Sequence, residues 1–322
     1  MDFRQHKGST ILRARDQQLA SRLSAALTKY SDDEDNLEGI RAFENKTALI
    51  EQMIDSIRRI KYIQVIRDRK ISQLRADPKC DIFDPLKAAI IHTSNGNIDE
   101  ACWLIFLAIH FGKANPQGWA LTKDIYSALD EPYTWEWKRV SFNPDALSEW
   151  IAKNYQIFMN NKRRFGNHRK YESLNPSKSN FTGLATTSYI KWILNFGSHQ
   201  ALFNKVTAEA NGNPREAFKA LYKSMDAVYR FGRTAKFDYL TMLAKVGIIN
   251  IEADSTYMGQ ATGPVDGAKL LFEGSTQSNI SRSILDKKLI NLDKHLNVGM
   301  QVLEDALCNW QKSPGAYKSF RG

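Results

Sequence analysis

The pattern of apolar residues along the chain limits its possible folds more than any other feature. In residues 9–30, for example, Leu19, Leu23 and Leu27 recur at the spacing that places them on one face of a helix. Strict alternation of apolar and polar residues, which marks a half-buried strand, is almost absent, and no repeat with a period of about 20–50 residues occurs. The sequence therefore predicts an all-α fold of about ten helices.

The most apolar segment, residues 98–111, is bounded by residues that start and stop helices. Asp84 followed by Pro85 favours a helix start, because aspartate can cap the first turn and proline fits there. The Asn-Gly-Asn turn at residues 95–97 ends that helix. We expect the next helix, at 98–111, to be buried because it is apolar on most faces, and Gly112 to end it.

The remaining helices and the domain borders follow from the same pattern. Further helices are predicted at 143–159, 183–196, 198–210, 214–228, 234–246, 263–272 and 281–310. The acidic run at residues 31–35 is typical of a solvated linker. We therefore expect an N-terminal helix with this linker at 1–40, a helical domain of two lobes at 41–312 with a hairpin at 214–246, and a tail at 313–322.

Basic residues are concentrated in one part of the chain. The whole sequence has 45 Lys and Arg against 35 Asp and Glu. Residues 153–245 alone hold sixteen basic and five acidic side chains, so this segment carries the entire surplus. A local excess of this kind favours binding to a polyanion, since each cation near a phosphate releases condensed counterions. The alternative is a solvated basic surface that serves solubility.

The cysteines and the N-terminal residues predict a cytoplasmic protein without a membrane span or a metal cluster. Cys80, Cys102 and Cys308 are far apart and odd in number, so they form neither a CxxC pair nor a disulfide framework. Such spacing argues against zinc or an iron–sulfur cluster. Residues 1–7 lack the apolar core of a secretory signal, and no apolar run reaches about eighteen residues. We expect no metal and no other cofactor.

Residues 214–246 have the layout of two helices joined by a tight turn. A helix at 215–228 is followed by Tyr-Arg-Phe-Gly-Arg at 229–233 and by a second helix at 234–245. The first turn of a helix has unpaired backbone N–H groups and the positive end of the helix dipole. Together these can hold a DNA phosphate without reading its sequence. An ordinary corner between two helices is the alternative.

The residues predicted to bind the DNA backbone lie in this turn and in a basic loop at residues 160–180. They are Arg230, Phe231, Gly232, Arg233, Thr234 and Lys236 at the turn, with Arg163, Arg164, Arg169 and Lys170 in the loop. Arginine and lysine side chains make charge-assisted contacts to phosphate oxygens. A solvated loop is the alternative for the second group.

A carboxylate follows the hairpin at a characteristic distance. Gly-Arg-Thr-Ala at 232–235 is followed by Asp-Ser, whose Asp254 lies 22 residues after Gly232. This layout resembles the helix-hairpin-helix DNA glycosylase superfamily and implies a glycosylase-like helical fold with Asp254 as the catalytic residue. The hairpin has one glycine where two are usual and no clear Schiff-base lysine, which implies a monofunctional enzyme that uses water. The alternative role for Asp254 is a helix N-cap.

A second resemblance covers most of the chain, from about residue 43 to 310. It rests on the apolar segment at 103–113 with Gly-Trp at 118–119, and on Asp-Ser-Thr-Tyr-Met-Gly at 254–259 with the glycine-rich residues 262–268. These sequence segments resemble those of the alpha-glutamyl/putrescinyl thymine pyrophosphorylase family, a glycosylase-related group linked to hypermodified phage DNA. The resemblance implies an activity on modified pyrimidines in DNA and a place in anti-phage defence.

Three functions follow from these resemblances. The first, our main hypothesis, is a DNA glycosylase that flips a bulky modified pyrimidine out of phage DNA, such as a glycosylated hydroxymethylcytosine, and leaves an abasic site. Asp254 would stabilise the positive charge that develops on the sugar. The second, implied by the family name, is replacement by an amine of a pyrophosphoryl group on a 5-hydroxymethyl pyrimidine. The third is a non-catalytic sensor of modified DNA.

Five side chains are candidates for a pocket that holds the flipped base. They are His110, Phe111, Lys113, Trp119 and Tyr257. Four of them lie at or just after the end of the most apolar helix, where a buried helix can deliver polar groups to a pocket, and aromatic rings can stack on an extruded base. Ordinary core positions are the alternative. We expect double-stranded DNA with modified bases as the partner, no membrane, no protein partner and a monomer.

Overall fold

The computed structural model describes residues 13–319, without the side chains of Asn167 and Gln260, and the all-α prediction is confirmed. Within that range no strand forms, and the only strand-like pairings are two isolated bridges. Residues 1–7, in which no secretory signal is expected, lie outside the described range, as do 8–12 and 320–322.

Fifteen α-helices lie within the described range. They are α1 (Gln17–Asp33), α2 (Phe43–Arg67), α3 (Pro85–Ser94), α4 (Ile98–Phe111), α5 (Ala120–Tyr126), α6 (Trp137–Phe142), α7 (Ala146–Lys153), α8 (Tyr155–Asn160), α9 (Thr182–Leu194), α10 (His199–Glu209), α11 (Pro214–Ser224), α12 (Arg233–Val246), α13 (Gly263–Glu273), α14 (Arg282–Leu296) and α15 (Met300–Trp310). Short 3-10 turns accompany them, among them Glu38–Ile40, Asn167–Arg169, Met225–Ala227 and Met258–Gln260.

The prediction of about ten helices was too low because short breaks divide continuous apolar patterns. The predicted helix 281–310 is two helices, α14 and α15, separated where Asn297 and Gly299 take positive φ values of 48° and 88°. The Asp293 carboxylate accepts hydrogen bonds from the backbone N–H groups of the break, at Val298 and Gly299. The predicted helix 143–159 is likewise divided at Asn154 into α7 and α8.

The chain forms two compact units. Unit 1 comprises the described residues of Met1–Tyr62 and Ala253–Gly322, and unit 2 comprises Ile63–Glu252. Unit 1 contains α1, most of α2 and the three C-terminal helices. The helix α1 extends through Asp33, so it includes the first part of the predicted acidic linker.

Close helix packing in unit 1 depends on two glycines. A Cβ atom on Gly267 of α13 would lie 2.3 Å from the carbonyl oxygen of Leu307 in α15. A Cβ on Gly39, in the 3-10 turn that packs against α13, would lie 2.1 Å from the carbonyl oxygen of Leu270. Any side chain at either position would force the backbones apart, so these glycines set how closely α13 packs against its neighbours.

Unit 2 is built around the buried helix α4. Its N-terminal partner α3 begins as predicted, since the Asp84 carboxylate accepts hydrogen bonds from the N–H groups of Leu86 and Lys87, with Pro85 in the first turn. The Asn-Gly-Asn turn, with Gly96 at a φ of 75°, joins α3 to α4. Residues 101–107 of α4 have no exposed surface, which confirms the predicted burial.

The end of α4 is where the basic loop joins the core of unit 2. Gly112 ends the helix with a φ of 69°, and a Cβ on it would lie 3.0 Å from the Cα of Gly166 in the basic loop. The N–H of Gly166 donates to the carbonyl oxygen of Phe111 at 2.8 Å. Because both residues at this contact are glycines and have no side chain, the backbone of the loop lies directly against the end of α4.

Among residues 13–319, no helix is long and apolar enough to cross a membrane. Cys80, Cys102 and Cys308 are not joined to one another by disulfide bonds. The same part of the chain contains no group of three or more His, Cys, Asp or Glu residues placed to hold a metal ion.

Candidate functional site

Two helices and a tight turn form at the predicted hairpin. The first, α11, is capped by the side chain of Asn213 and is followed by a 3-10 turn at Met225–Ala227, and α12 begins at Arg233. Gly232 is the N-cap of α12 in an extended conformation, with φ at −70°. The left-handed residue of the turn is Arg230, with φ at 55°. The single glycine therefore serves the helix start, and a non-glycine residue makes the tight bend.

The hairpin turn is attached to the basic loop by two polar contacts and to α9 by a third. Arg230 Nε lies 3.3 Å from Glu172 Oε1. The Tyr229 hydroxyl donates to the carbonyl oxygen of Ser179 at 3.0 Å, and the Tyr229 N–H donates to the Ser188 hydroxyl at 2.8 Å. The structure therefore places the two predicted DNA-contacting segments side by side in unit 2.

Three predicted cations are exposed beside this junction. Lys113, Arg164 and Lys170 are exposed, and within residues 13–319 none of them has an acidic side chain at ion-pair distance. Lys170 Nζ lies 5.5 Å from the ring centroid of Tyr171, and Lys113 Nζ lies 5.8 Å from that of Trp119. Unpaired ammonium and guanidinium groups of this kind are available for phosphate oxygens.

Other predicted phosphate ligands already have partners inside the protein. Arg163 donates two hydrogen bonds to Asp124, at 2.5 and 3.2 Å. Lys236 is buried and pairs with Asp226. Arg233 is buried, with its guanidinium 5.0 Å from the ring centroid of Phe237. The roles of Arg163, Arg233 and Lys236 at phosphate stay predictions, and their contacts hold the loop and the hairpin in shape.

Two of the pocket candidates are core residues. His110 and Phe111 are both buried, and His110 Nε2 lies 2.6 Å from the Thr182 hydroxyl. The imidazole also stacks on Phe106, with 5.3 Å between ring centroids. Burial, and then the charge of Arg169, lower the pKa of His110 to about 3. His110 is therefore a neutral, hydrogen-bonded histidine at neutral pH.

Trp119 and Thr234 lie nearer the surface than these core residues, whereas Phe231 of the hairpin turn is buried. The Trp119 side chain is half-buried, and its indole N–H is buried without a hydrogen-bond partner within residues 13–319. Phe231, between Arg230 and Gly232, is buried, with its ring 5.4 Å from that of Phe106. Thr234 is half-buried in the first turn of α12. The ring of Phe231 therefore anchors the hairpin turn to α4, and a role of this residue at the DNA backbone stays a prediction.

Asp238 on α12 is a carboxylate that no pattern in the sequence singled out. Arg169 of the basic loop, with only 10% of its side chain exposed, donates to the carbonyl oxygens of Ile109 and His168 at 3.0 and 3.1 Å. Its Nη2 atom lies 3.4 Å from Asp238 Oδ2. Nothing near Asp238 in the sequence marks it, because its partner is 69 residues away.

A second group that the sequence did not reveal is a series of hydrogen bonds inside unit 2. Asp99 Oδ1 accepts from His199 Nδ1 at 2.6 Å, and His199 Nε2 lies 2.7 Å from the Tyr189 hydroxyl. That hydroxyl lies 2.8 Å from the hydroxyl of Tyr239 on α12. These hydrogen bonds give partners to four polar side chains inside unit 2. Because the four side chains lie on four different helices, we interpret the series as a structural network.

In unit 1, Asp254 lies in an irregular segment that precedes α13. Its Oδ1 atom accepts a hydrogen bond from the Tyr257 hydroxyl at 2.6 Å, and both side chains are half-buried. Tyr257 has a positive φ of 50°. The segment between Asp254 and α13 is too long for Asp254 to cap that helix, so the N-cap alternative is wrong. A partly exposed carboxylate that is held by a phenol suits electrostatic work on a substrate.

The segment around Asp254 is held in place by α14. Asp286 Oδ1 accepts from the hydroxyls of Ser255 and Thr256 at 2.8 and 2.7 Å, and Oδ2 accepts from the N–H of Met258 at 3.0 Å. Arg282 of the same helix donates to the carbonyl oxygen of Gly259 at 2.6 Å. The Asp254 segment is therefore preorganised by α14, a role for Asp286 that the sequence did not reveal.

The predicted site residues thus fall into two groups. The hairpin, the basic loop and the end of α4 come together within unit 2, and Asp254 and Tyr257 belong to unit 1. No curated protein and no solved structure matches the chain, so the resemblance to the helix-hairpin-helix glycosylase superfamily stays a prediction. A family model matches residues 44–322, and the chain therefore belongs to the alpha-glutamyl/putrescinyl thymine pyrophosphorylase family, in its clade 3.

Proposed function

We propose that the protein is an enzyme that replaces a pyrophosphoryl group on a 5-hydroxymethyl pyrimidine in DNA with an amine. Family membership over residues 44–322 carries this proposal, because the family is named for pyrophosphorylases of modified thymine. The sequence alone favoured excision of the base over this replacement. The family name supports the replacement and gives no support to excision, so the replacement now comes first.

The reaction makes three demands on the protein. The bond between the exocyclic methylene carbon and the pyrophosphate oxygen breaks, and its electron pair leaves with pyrophosphate. A bond from the amine nitrogen to the same carbon forms, and the nitrogen releases a proton. The protein must therefore hold the DNA, stabilise the charge on the leaving group and accept a proton.

The exposed cations of unit 2 support the first role, which is to hold the DNA. Lys113, Arg164 and Lys170 lie around the junction of the hairpin turn, the basic loop and the end of α4, without acidic partners within residues 13–319. Contacts of this type to the DNA backbone are independent of base sequence. They suit an enzyme whose specificity comes from a modified base, which must be flipped out of the duplex to be reached.

Asp254 remains our proposal for a carboxylate that acts on the modified nucleotide. Its hydrogen bond from Tyr257 and the anchoring of its segment by Asp286 support a fixed negative charge at this position. The same features also suit excision of the base, in which Asp254 would stabilise positive charge on the sugar. Excision, with a role in anti-phage defence, is therefore our second candidate function.

The test is incubation with a duplex that carries one pyrophosphorylated 5-hydroxymethyl pyrimidine and a panel of primary amines. We expect pyrophosphate release and an aminated nucleoside, read by mass spectrometry after digestion of the DNA. The glycosidic bond should stay intact. Abasic sites with a released base would overturn the proposal in favour of excision, and tight binding without any product would favour a sensor.

Asp254→Asn is the matching variant, because it keeps the size of the side chain and removes its charge. Loss of a preorganised charge typically costs on the order of 10²–10³ in rate. Glu209→Gln on α10 is the control, since this carboxylate is exposed and lies in a weak pair with Lys205. Full activity of Asp254→Asn would remove Asp254 from the proposal.

A further inference from the structure

Asp238 is a carboxylate with spare hydrogen-bonding capacity. Within residues 13–319 its only hydrogen-bond donor is Arg169 Nη2, 3.4 Å from Oδ2, and 41% of its side chain is exposed. Oδ1 accepts no hydrogen bond from the described part of the chain. A charge-assisted hydrogen bond is usually about 2.7–2.9 Å long, so the contact with Arg169 is loose.

Asp124 shows what a structural ion pair looks like in the same unit. It accepts two hydrogen bonds from Arg163 on the basic loop, at 2.5 and 3.2 Å, and only 14% of its side chain is exposed. Both of its oxygens are used inside the protein. Asp238 differs in contact length, in exposure and in its unused oxygen, so a purely structural pair with Arg169 does not account for its arrangement.

The Asp238 side chain is partly exposed to solvent, but the residues next to it are buried. The neighbouring residues Phe237 and Tyr239 are buried on α12, and Arg169 is almost fully buried. Burial raises the pKa of the Asp238 carboxyl above its ordinary value, against the effect of four basic groups. These groups are Arg169 and His168 on the basic loop, with Lys245 and Arg233 on α12. A carboxyl whose pKa is moved towards neutral pH can both accept and release a proton there.

We propose that Asp238 is the acid–base carboxylate that accepts the proton of the attacking amine. This inference rests on the proposed function. As the nitrogen bonds to the methylene carbon and pyrophosphate leaves, the nitrogen transfers one proton to Asp238 Oδ1, which later returns it to solvent. Arg169 is a positioning residue, because it ties the carboxylate to the end of α4 through the carbonyl oxygen of Ile109.

The first experiment compares Asp238→Asn with the wild type and with Glu209→Gln on the pyrophosphorylated duplex. Loss of a general base typically costs about 10²–10⁴ in rate. We expect a fall of at least about 100-fold for Asp238→Asn, with DNA affinity unchanged within about threefold. The part of the pH–rate profile in which activity rises with ionisation of Asp238 should disappear, which leaves only the rise caused by deprotonation of the amine substrate. A rate within about threefold of wild type, with that part of the profile retained, would overturn the inference.

A second variant separates chemistry from structure. In Asp238→Ala the carboxylate is missing, and added formate can occupy its place. We expect formate to restore the rate of Asp238→Ala at least tenfold and to leave Asp238→Asn unaffected. Recovery by formate is a property of a missing base, and a misfolded variant cannot show it. Absence of recovery in a variant that melts like the wild type would count against the inference.

A third measurement does not depend on turnover. A water-soluble carbodiimide labels accessible carboxyl groups, and the pyrophosphorylated duplex should protect Asp238 but not the exposed Glu209. Unchanged labelling of Asp238 in the presence of the duplex would overturn the inference whatever reaction the enzyme performs. The proposed function is judged separately by the product that the wild type forms, so the two ideas can fail independently.

Discussion

The carboxylate of Glu100 accepts a hydrogen bond from the backbone N–H of Trp137 at 2.6 Å. Its other oxygen accepts from the Tyr126 hydroxyl at 2.7 Å, and the side chain is buried between α4, α5 and α6. Burial, outweighing these two hydrogen bonds, raises the pKa of Glu100 to about 7. We therefore expect the stability of unit 2 to depend on pH between the ordinary pKa of this carboxyl group and its raised value.

The first prediction concerns this pH dependence. Folded Glu100 keeps a proton that the unfolded chain releases near its ordinary pKa of 4.5, so the free energy of unfolding should fall as pH rises from about 4.5 to about 7. The contribution is about 3 kcal/mol. Glu100→Gln, which cannot ionise, should flatten this part of the profile in urea unfolding between pH 5 and 7.5. Equal slopes for variant and wild type would contradict the prediction.

The second prediction concerns the hydrogen bond between His110 and Thr182. Thr182→Val should destabilise the protein by about 1–3 kcal/mol, because it leaves a buried ring nitrogen without a partner. Thr182→Ser keeps the hydroxyl and is the control, and it should lose less stability. Denaturant unfolding measures both. A Ser variant as unstable as the Val variant would show that packing, and not the hydrogen bond, matters here.

His110 itself should stay neutral over the working pH range. Because its pKa in the folded protein is lowered to about 3, the folded state binds fewer protons than the unfolded state below about pH 6.5. The free energy of unfolding should therefore fall as pH drops from about 6.5. NMR of the ring nitrogens should find His110 neutral at pH 5, and a charged imidazole at that pH would contradict the buried setting.

The third prediction tests the exposed cations as phosphate ligands. Replacing Lys113, Arg164 and Lys170 with glutamine should weaken binding to all duplexes alike. Removing each phosphate-binding charge should also reduce the salt slope of binding by about 0.9. Fluorescence anisotropy at several salt concentrations measures both effects. Lys29→Gln on α1 is the control, and an equal reduction of the slope in that variant would show that only net charge matters.

The fourth prediction concerns Asp286, which holds the Asp254 segment. Ser255→Ala removes one of its hydrogen bonds and should cost about 1 kcal/mol, whereas Asp286→Ala removes the acceptor of all three hydrogen bonds and should cost several times as much. Both variants can be compared by urea unfolding. Equal losses of stability would mean that Asp286 does not organise the segment. A large loss for Asp286→Ala would support the preorganisation of Asp254.

Local sequence was sufficient for the fold class and for several helix borders. The predicted start of α3 at Asp84 and Pro85, and the burial of α4, are both observed, because capping and apolar periodicity act over a few residues. The break at 297–299 was missed, since the apolar pattern continues across it and the Asp293 side chain satisfies the exposed N–H groups.

The sequence by itself therefore determined an all-helical chain, a basic segment and a hairpin followed by Asp254. Only the tertiary structure decided which charged side chains form contacts within the protein and with which partners. It pairs Arg163 with Asp124, sets Arg169 loosely against Asp238, and anchors the Asp254 segment on Asp286. These partners lie 39, 69 and 31 residues apart. Charge and periodicity are properties of short segments, whereas the burial and partner of a side chain depend on distant segments that folding brings into contact.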